Sequence, residues 1–369
     1  MAESVVVNGV TYPDVETVSM TNTSGEQVVF SLGGGGGGFP NGTEWTQSNV
    51  ASGKFRLVRN LEGMWVASST TGAYYSNDGK NWTQSNAPSG SVNEICTANG
   101  TWAMCYASGL GIYHSDDGKV WTQSNINQIS SGRFSRMCVA NGVWVAGTTR
   151  GSGDFDGGLY YSTDGKVWER GNISSDTAFQ ALSNGNGVWL ACNAEGVLYR
   201  STDGKTWTEH YDPGLPFSGL YNADGIWVAT DNTLDEGIMY SADDGLTWMR
   251  SNLQTGCFQA VHYGNGMWVA GSGDIYGDNG SGLYYSSDGK TWTQSNIRSS
   301  LTRDIYYANR MWVVADTNDG FYYSVDGKTW TQSNLAGCYG YTIRNADGIW
   351  VAGCYDDTGL FFSATWEPS

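Results

Sequence analysis

The sequence predicts an all-β protein whose main body is a closed ring of eight four-stranded sheets. Three observations predict it. A strand–turn–strand unit, Gly282-Leu283-Tyr284-Tyr285-Ser286-Ser287-Asp288-Gly289-Lys290-Thr291-Trp292-Thr293-Gln294-Ser295-Asn296, recurs around Asp78/Trp82, Asp117/Trp121, Asp164/Trp168, Asp203/Trp207, Asp243/Trp248 and Asp326/Trp330. A second tryptophan series, Trp65, Trp102, Trp144, Trp189, Trp227, Trp268, Trp312 and Trp350, interleaves with it at spacings of 37 to 45 residues. That is the size of one propeller blade. The chain ends carry complementary pieces: Trp45-Thr46-Gln47-Ser48-Asn49 is a fourth strand without its first three, and Leu360-Phe361-Phe362 is a third strand with a stunted successor. Joined, they complete blade eight of an eight-bladed β-propeller and remove an open sheet edge.

Residues 1–32 read as a small β attachment module. Val5-Val6-Val7-Asn8-Gly9-Val10-Thr11-Tyr12 is a strand, an Asn-Gly turn and a strand, and Val15 to Met20 and Gln27 to Leu32 are further strands. Alone, this segment is too small for a robust core, so docking onto something else is expected. Residues 33–40 hold six consecutive glycines, Gly33 to Gly38, then Phe39-Pro40. They read as a flexible linker, or alternatively as an extended polyglycine strand against a partner.

Residues 41–369 are the propeller. In each repeat the first strand ends in Ala-Asn-Gly or a variant, and Arg310 replaces the glycine once. The second, typified by Val143-Trp144-Val145-Ala146, is apolar throughout and so buried on both faces. The third is Leu-Tyr-Tyr-Ser and the fourth Trp-Thr-Gln-Ser-Asn. Between them, Ser-x-Asp-Gly is a turn in which hydroxyl and carboxylate accept backbone N–H bonds and glycine takes positive φ.

The repeated unit resembles the Asp box, or BNR repeat, of sialidases and many other β-propellers. Seven copies keep Ser-x-Asp, a nearby glycine and Trp, and only Ser241-Ala242-Asp243-Asp244-Gly245-Leu246-Thr247-Trp248 has the family's usual length. The resemblance implies the fold. It also implies that Asp78, Asp117, Asp164, Asp203, Asp243, Asp288 and Asp326 are structural, because in that family the Asp box lies away from the binding face. The opening Val-Asn-Gly-Val-Thr-Tyr-Pro-Asp-Val resembles structural proteins of tailed phages and prophages. That likeness implies a virion location, with other virion proteins contacting residues 1–38.

Composition narrows the partners. A net charge of −17 argues against nucleic acid and anionic membranes. No apolar run is long enough to span a membrane, and Met1-Ala2-Glu3-Ser4 lacks signal-peptide character. Seven cysteines fit no zinc pattern, and Cys338/Cys354 is the pair to test for proximity.

Copies can be compared within one chain. Val58, Ile95, Met137, Leu182, Leu220, Val261, Ile305 and Ile343 are apolar in every blade and serve the core. Six of seven lysines fall in Asp-box turns and mark that face as the more basic one. The opposite, loop face diverges, as binding faces on rigid scaffolds do. Its long acidic loops carry Asp154, Phe155 and Asp156, then Asp274, Tyr276 and Asp278, then Tyr355. Aromatics there can stack on sugar rings. The carboxylates can accept hydroxyl hydrogen bonds or hold Ca²⁺, and no other cofactor is expected. Solvated turn-forming loops are the plain alternative.

Nine residues before each tryptophan lies a polar ring, Arg56, Asn93, Ser135, Gln180, Ser218, Gln259, Arg303 and Tyr341, expected around the channel mouth. Arg56, Arg303 and Tyr341 come from neighbouring blades and can hold a carboxylate or sugar hydroxyls, or form a satisfied ion-pair network.

A sialidase-like glycoside hydrolase is the alternative activity. Phe55-Arg56-Leu57-Val58 is similar to that family's Phe-Arg-Ile-Pro but lacks the proline. Sialidase propellers have six blades, and these arginines do not map onto the family's triad. His114, His210 and His262 have no neighbouring catalytic pattern. The expectation is therefore a non-enzymatic virion protein displaying a receptor- or glycan-binding propeller, with a homo-oligomer left open. A protein-interaction scaffold is the third reading.

Overall fold

The computed structural model describes residues 4–7, 10–13, 17–21 and 27–31, and residues 42–364 apart from 62, 108, 129–132, 150–156, 175–177, 211–215, 232–236, 274–281 and 299. The chain divides into two units, Met1–Pro40 with Thr365–Ser369, and Asn41–Ala364. In the first unit, Ser4–Val7 pairs antiparallel with Val10–Pro13, and Thr17–Thr21 with Gln27–Ser31. The glycine run lies outside the described residues.

The second unit is an eight-bladed β-propeller: eight four-stranded antiparallel sheets, seven of them in sequence order from the channel outward and the eighth closed by the first strand of the unit. Blade one is Phe55–Leu61, Met64–Ser69, Gly72–Ser76 and Thr83–Gln84. Blade eight takes Gly340–Ala346, Ile349–Cys354 and Leu360–Ala364, and its outer strand is Thr46–Gln47 from the start of the unit. Phe361 pairs with Gln47 and Phe362 with Thr46, as the split repeat predicts. No helix among the described residues is long and apolar enough to cross a membrane.

Local chemistry explains the repeat. The inner hairpin turns need positive φ at two residues, which Asn-Gly supplies: Asn141 has φ 52° and Gly142 74°. Arg310 takes φ 60° where the other copies have glycine. In the Ser-x-Asp-Gly turn, Asp288 Oδ1 accepts the Lys290 and Thr291 N–H groups at 2.8 Å each, and Ser286 Oγ accepts the Gly289 N–H at 2.9 Å. The longer copy does the same one residue later, Thr247 N–H donating to Asp243. Burial would raise the Asp288 pKa, but the N–H groups of Thr291 and Lys290 outweigh it and hold the carboxyl below its usual range. Gly79 shows why the turn needs glycine: it has φ 68°, and a Cβ there would lie 3.0 Å from Val351 of blade eight.

The core lies between blades. Tryptophans of both series are buried, Trp248 only partly, and Trp45 stacks on Phe321 of blade seven with centroids 5.4 Å apart. The apolar set is buried as expected, with Leu182 partly so.

Two features of the repeat bind blade to blade. The asparagine four places after each turn tryptophan clamps the next blade. Asn296 Oδ1 accepts the Trp330 N–H at 2.8 Å, and its Nδ2 donates to the Trp330 carbonyl at 2.9 Å. Asn49, Asn86, Asn125, Asn172, Asn252 and Asn334 repeat the pair. The eighth position is Tyr211, outside the described residues. At that seam the His210 ring and Leu246 carbonyl meet at 2.5 Å. The turn lysines lie over aromatic rings of the preceding blade, as Lys290 over Tyr240 at 5.6 Å and Lys119 over Tyr75 at 5.6 Å. Their charge therefore serves the blade joints as well as colouring the turn face.

Candidate ligand site at the channel mouth

A β-bulge recurs at the start of every innermost strand. In blade one Phe55 pairs with Ser69 and Leu57 with Ser68, leaving Arg56 as the extra residue. The same shift falls at Asn93, Ser135, Gln180, Ser218, Gln259, Arg303 and Tyr341. The polar ring is thus the ring of bulged residues, and a bulge re-aims its side chain. Arg56, Ser218, Gln259, Arg303 and Tyr341 line the mouth of one cavity. Three members, Asn93, Ser135 and Gln180, do not line it. Asn93 donates to the Phe134 carbonyl and Ser135 to the Phe179 carbonyl, each on the next blade. At these two positions the side chain is tied to the next blade, whereas Ser218 donates to the Thr230 carbonyl of its own blade and stays on the cavity.

Arg56, Arg303 and Tyr341 come together as the repeat arithmetic predicts, and Tyr355 joins them. Arg56 Nη2 donates to the Tyr355 hydroxyl at 2.6 Å. The Arg56 guanidinium lies 4.6 Å from the Tyr355 ring centre and 5.9 Å from that of Tyr341. Arg303 approaches Tyr341 from the other side at 5.8 Å and donates to Gln259. The two tyrosine rings are 5.2 Å apart at 37°. Lys54 stands 5.7 Å over Tyr355 and pairs loosely with Asp357 at 4.0 Å. Arg56 Nε is buried without a hydrogen-bond partner among the described residues. Behind this cluster Cys354 Sγ faces Cys338 Sγ at 2.8 Å, both as thiols. The Cys338 contact and burial push the Cys354 thiol well up.

Below the mouth, alternate residues of the inner strands face the channel, one and three places after the bulge. This second ring holds groups the sequence reading did not single out: Arg59, Tyr221, His262, Tyr306 and Arg344. Their signal was available, since each follows an apolar core residue by one place in a period-two strand. Arg59 bonds Glu94 at 2.6 Å, and Arg344 bonds Asp304 at 2.6 Å. Burial and the like charge of Arg59 lower the Arg344 pKa, against the raising effect of Asp304. Burial pushes His262 down to about 4, so its imidazole is neutral at pH 7.

Asp154, Phe155, Asp156, Asp274, Tyr276 and Asp278 lie outside the described residues. Two described loop-face aspartates, Asp316 and Asp356, act as turn acceptors. Asp316 takes N–H groups from Leu301, Asn318 and Asp319 at 2.7, 2.8 and 2.9 Å, and Asp356 accepts from Tyr339 and Thr358. Among the described residues no group of three or more His, Cys, Asp or Glu side chains is placed to hold a metal.

No protein-family model matches the chain, and no curated protein matches it. Solved structures do. The computationally designed Ika8 protein aligns with a TM-score of 0.67 at 10% identity, over 88% of this chain and 100% of that one. YCF48 bound to D1 peptide aligns with a TM-score of 0.56 at 14% identity, over 89% and 97%. The GH74 enzyme of Niastella koreensis aligns with a TM-score of 0.51 at 16% identity, over 83% of this chain and 48% of that one. At these identities the likeness concerns the fold alone.

Proposed function

We propose that the propeller is a non-enzymatic binding module that engages a cell-surface glycan through the loop-face mouth of its channel. The observation that carries this reading is the convergence of Arg56, Arg303, Tyr341 and Tyr355, drawn from three blades, at one cavity mouth. Tyrosine faces stack on sugar rings, and guanidinium groups bond hydroxyl or acidic oxygens. On the opposite face, the repeated turns spend their polar groups on their own backbone, which leaves that face to the fold. The reading extends to the phage-like N-terminal segment: the propeller is the displayed part of a tailed-phage virion protein held through residues 1–38. The likeness of the turns to the Asp box supports a BNR-type architecture as part of this reading.

A binder is favoured over a hydrolase because Glu94 and Asp304, the carboxylates lining this cavity, are each bonded to an arginine. Neither stands free as a general acid or nucleophile. Binding of a protein segment at the same mouth is the second reading, favoured by the likeness to YCF48, a propeller of this fold seen with a peptide.

A glycan array and host-cell binding with wild type, Tyr341→Ala and Tyr355→Ala test the proposal. Array signal that both variants lose supports it. Signal unchanged in both overturns the site. Release of sugar from reporter glycosides replaces the binder with the hydrolase. Mass spectrometry of purified virions tests the location separately.

A further inference from the structure

The channel carries a charge that the rest of the chain does not. Five arginines line one cavity of about 300 Å³: Arg56, Arg59, Arg136, Arg303 and Arg344. Two carboxylates face them, Glu94 and Asp304, and both are consumed in the Arg59 and Arg344 pairs. Arg56, Arg136 and Arg303 form no ion pair among the described residues. Arg56 has only the Tyr355 hydroxyl, and its Nε is a buried donor without a partner. Arg136 reaches across the channel with only backbone carbonyls, Ser135 at 2.9 Å and Ser218 at 3.5 Å. Arg303 has the neutral Gln259. An excess of three positive charges therefore sits in one partly enclosed cavity of a chain whose net charge is −17. Like charges gathered in a partly enclosed cavity repel more strongly than in open water. They point to an anion that compensates them.

We infer that the channel is a binding site for a small tetrahedral dianion of the sulfate or phosphate type, entering from the loop face and held by Arg56, Arg136 and Arg303. The geometry favours this class over a carboxylate. A carboxylate is planar, carries one charge and is satisfied by one bidentate guanidinium. Here the three uncompensated guanidiniums come from blades one, three and seven and approach from different sides. A tetrahedral dianion presents oxygens in several directions at once and offsets more of the excess charge. Cavity size agrees, being well above the roughly 30 Å³ of one water. The dianion has two sources, a free inorganic ion or an ester substituent on a sugar at the mouth, and only the second rests on the glycan reading.

Calorimetric titration in low-salt buffer tests this, using sodium sulfate, inorganic phosphate, sodium acetate and a monosaccharide 6-sulfate. The expected result is saturable binding of sulfate and phosphate, one per chain, with acetate at least about tenfold weaker. Arg136→Gln and Arg303→Gln should each weaken sulfate binding by about tenfold or more, the size of one lost charge-assisted contact. Lys290→Gln on the turn face should leave it unchanged. Arg303 is exposed, so its variant carries the test if Arg136→Gln fails to fold by circular dichroism. A sugar sulfate binding much more tightly than sulfate identifies the ester as the source, and equal binding identifies the free ion. Failure of both anions to saturate, or equal binding by both arginine variants, overturns the inference. If anions fail while neutral glycans bind through Tyr341, only this inference falls. If anions bind and no glycan does, the inference stands and the glycan reading falls.

Discussion

Asn296→Ala should loosen the joint between blades six and seven without touching the ligand face. The side chain makes two bonds to one backbone unit, accepting the Trp330 N–H at 2.8 Å and donating to its carbonyl at 2.9 Å. A net hydrogen bond is worth about 1 kcal/mol, and an N–H left half-buried adds to the loss, so the variant should be about 2–3 kcal/mol less stable. For a domain of this size that is a fall in Tm of about 3–4 °C. Asn296→Asp keeps the acceptor and loses the donor, and should fall about half as far. Asn86→Ala breaks the equivalent pair with Trp121 at a distant seam, so the double variant should lose the sum within about 0.5 kcal/mol. Scanning calorimetry of wild type and the four variants is the assay. A melt of Asn296→Ala within 1 °C of wild type (roughly 0.7 kcal/mol by the same scaling) would show that water replaces the clamp, and would refute the reasoning.

Three further outcomes follow from the fold. Asp288→Ala removes the acceptor of two solvent-exposed backbone N–H groups and should cost about 1 kcal/mol in denaturant unfolding, while mouth ligands bind unchanged wherever the fold holds. Lost binding at full stability would mean the faces are assigned the wrong way round. Deleting residues 41–50 removes the Thr46–Gln47 strand and the Trp45 plug, and should lower the melting of blade eight; a melt equal to the full chain would make ring closure independent of that strand. Acid should destabilise through His262. Its folded pKa of about 4 lies below the unfolded value of 6.5, so the unfolded chain takes up the proton first. Stability is full above pH 6.5 and falls as pH drops towards 4, by about 3 kcal/mol from this group. His262→Phe should flatten that slope, and an unchanged slope would assign it to other groups. The turn aspartates, held low, add their loss only below about pH 4.

The ring architecture was legible because one chain repeats its own answer eight times. The split blade could be read from Trp45 and Leu360 alone, and repeat arithmetic found the mouth cluster, since Arg56, Arg303 and Tyr341 share one position in the repeat. What that arithmetic could not show is the bulge. It is a property of pairing between strands, and it decides that Arg303 faces the channel while Ser135 turns to a neighbouring carbonyl. Asn296 was legible as strand but not as clamp, because its partner is 34 residues away on another sheet. Lys290 read as surface charge for the same reason: the Tyr240 ring beneath it belongs to the preceding blade. Arg59 and Arg344, and the channel position of His262, lie one place beyond the apolar core residue of each inner strand, where period-two alternation already turns them inward.

The central claim is that the loop-face mouth binds and the turn face does not. A single host-cell binding titration tests it most directly, comparing wild type with Tyr341→Ala and Arg303→Ala on one face and Lys119→Ala and Lys290→Ala on the other. The account predicts that each mouth variant weakens binding about tenfold or more, consistent with loss of one aromatic or charge-assisted contact, while both turn variants match wild type. Wild-type binding by the mouth variants together with loss in the turn variants would contradict it.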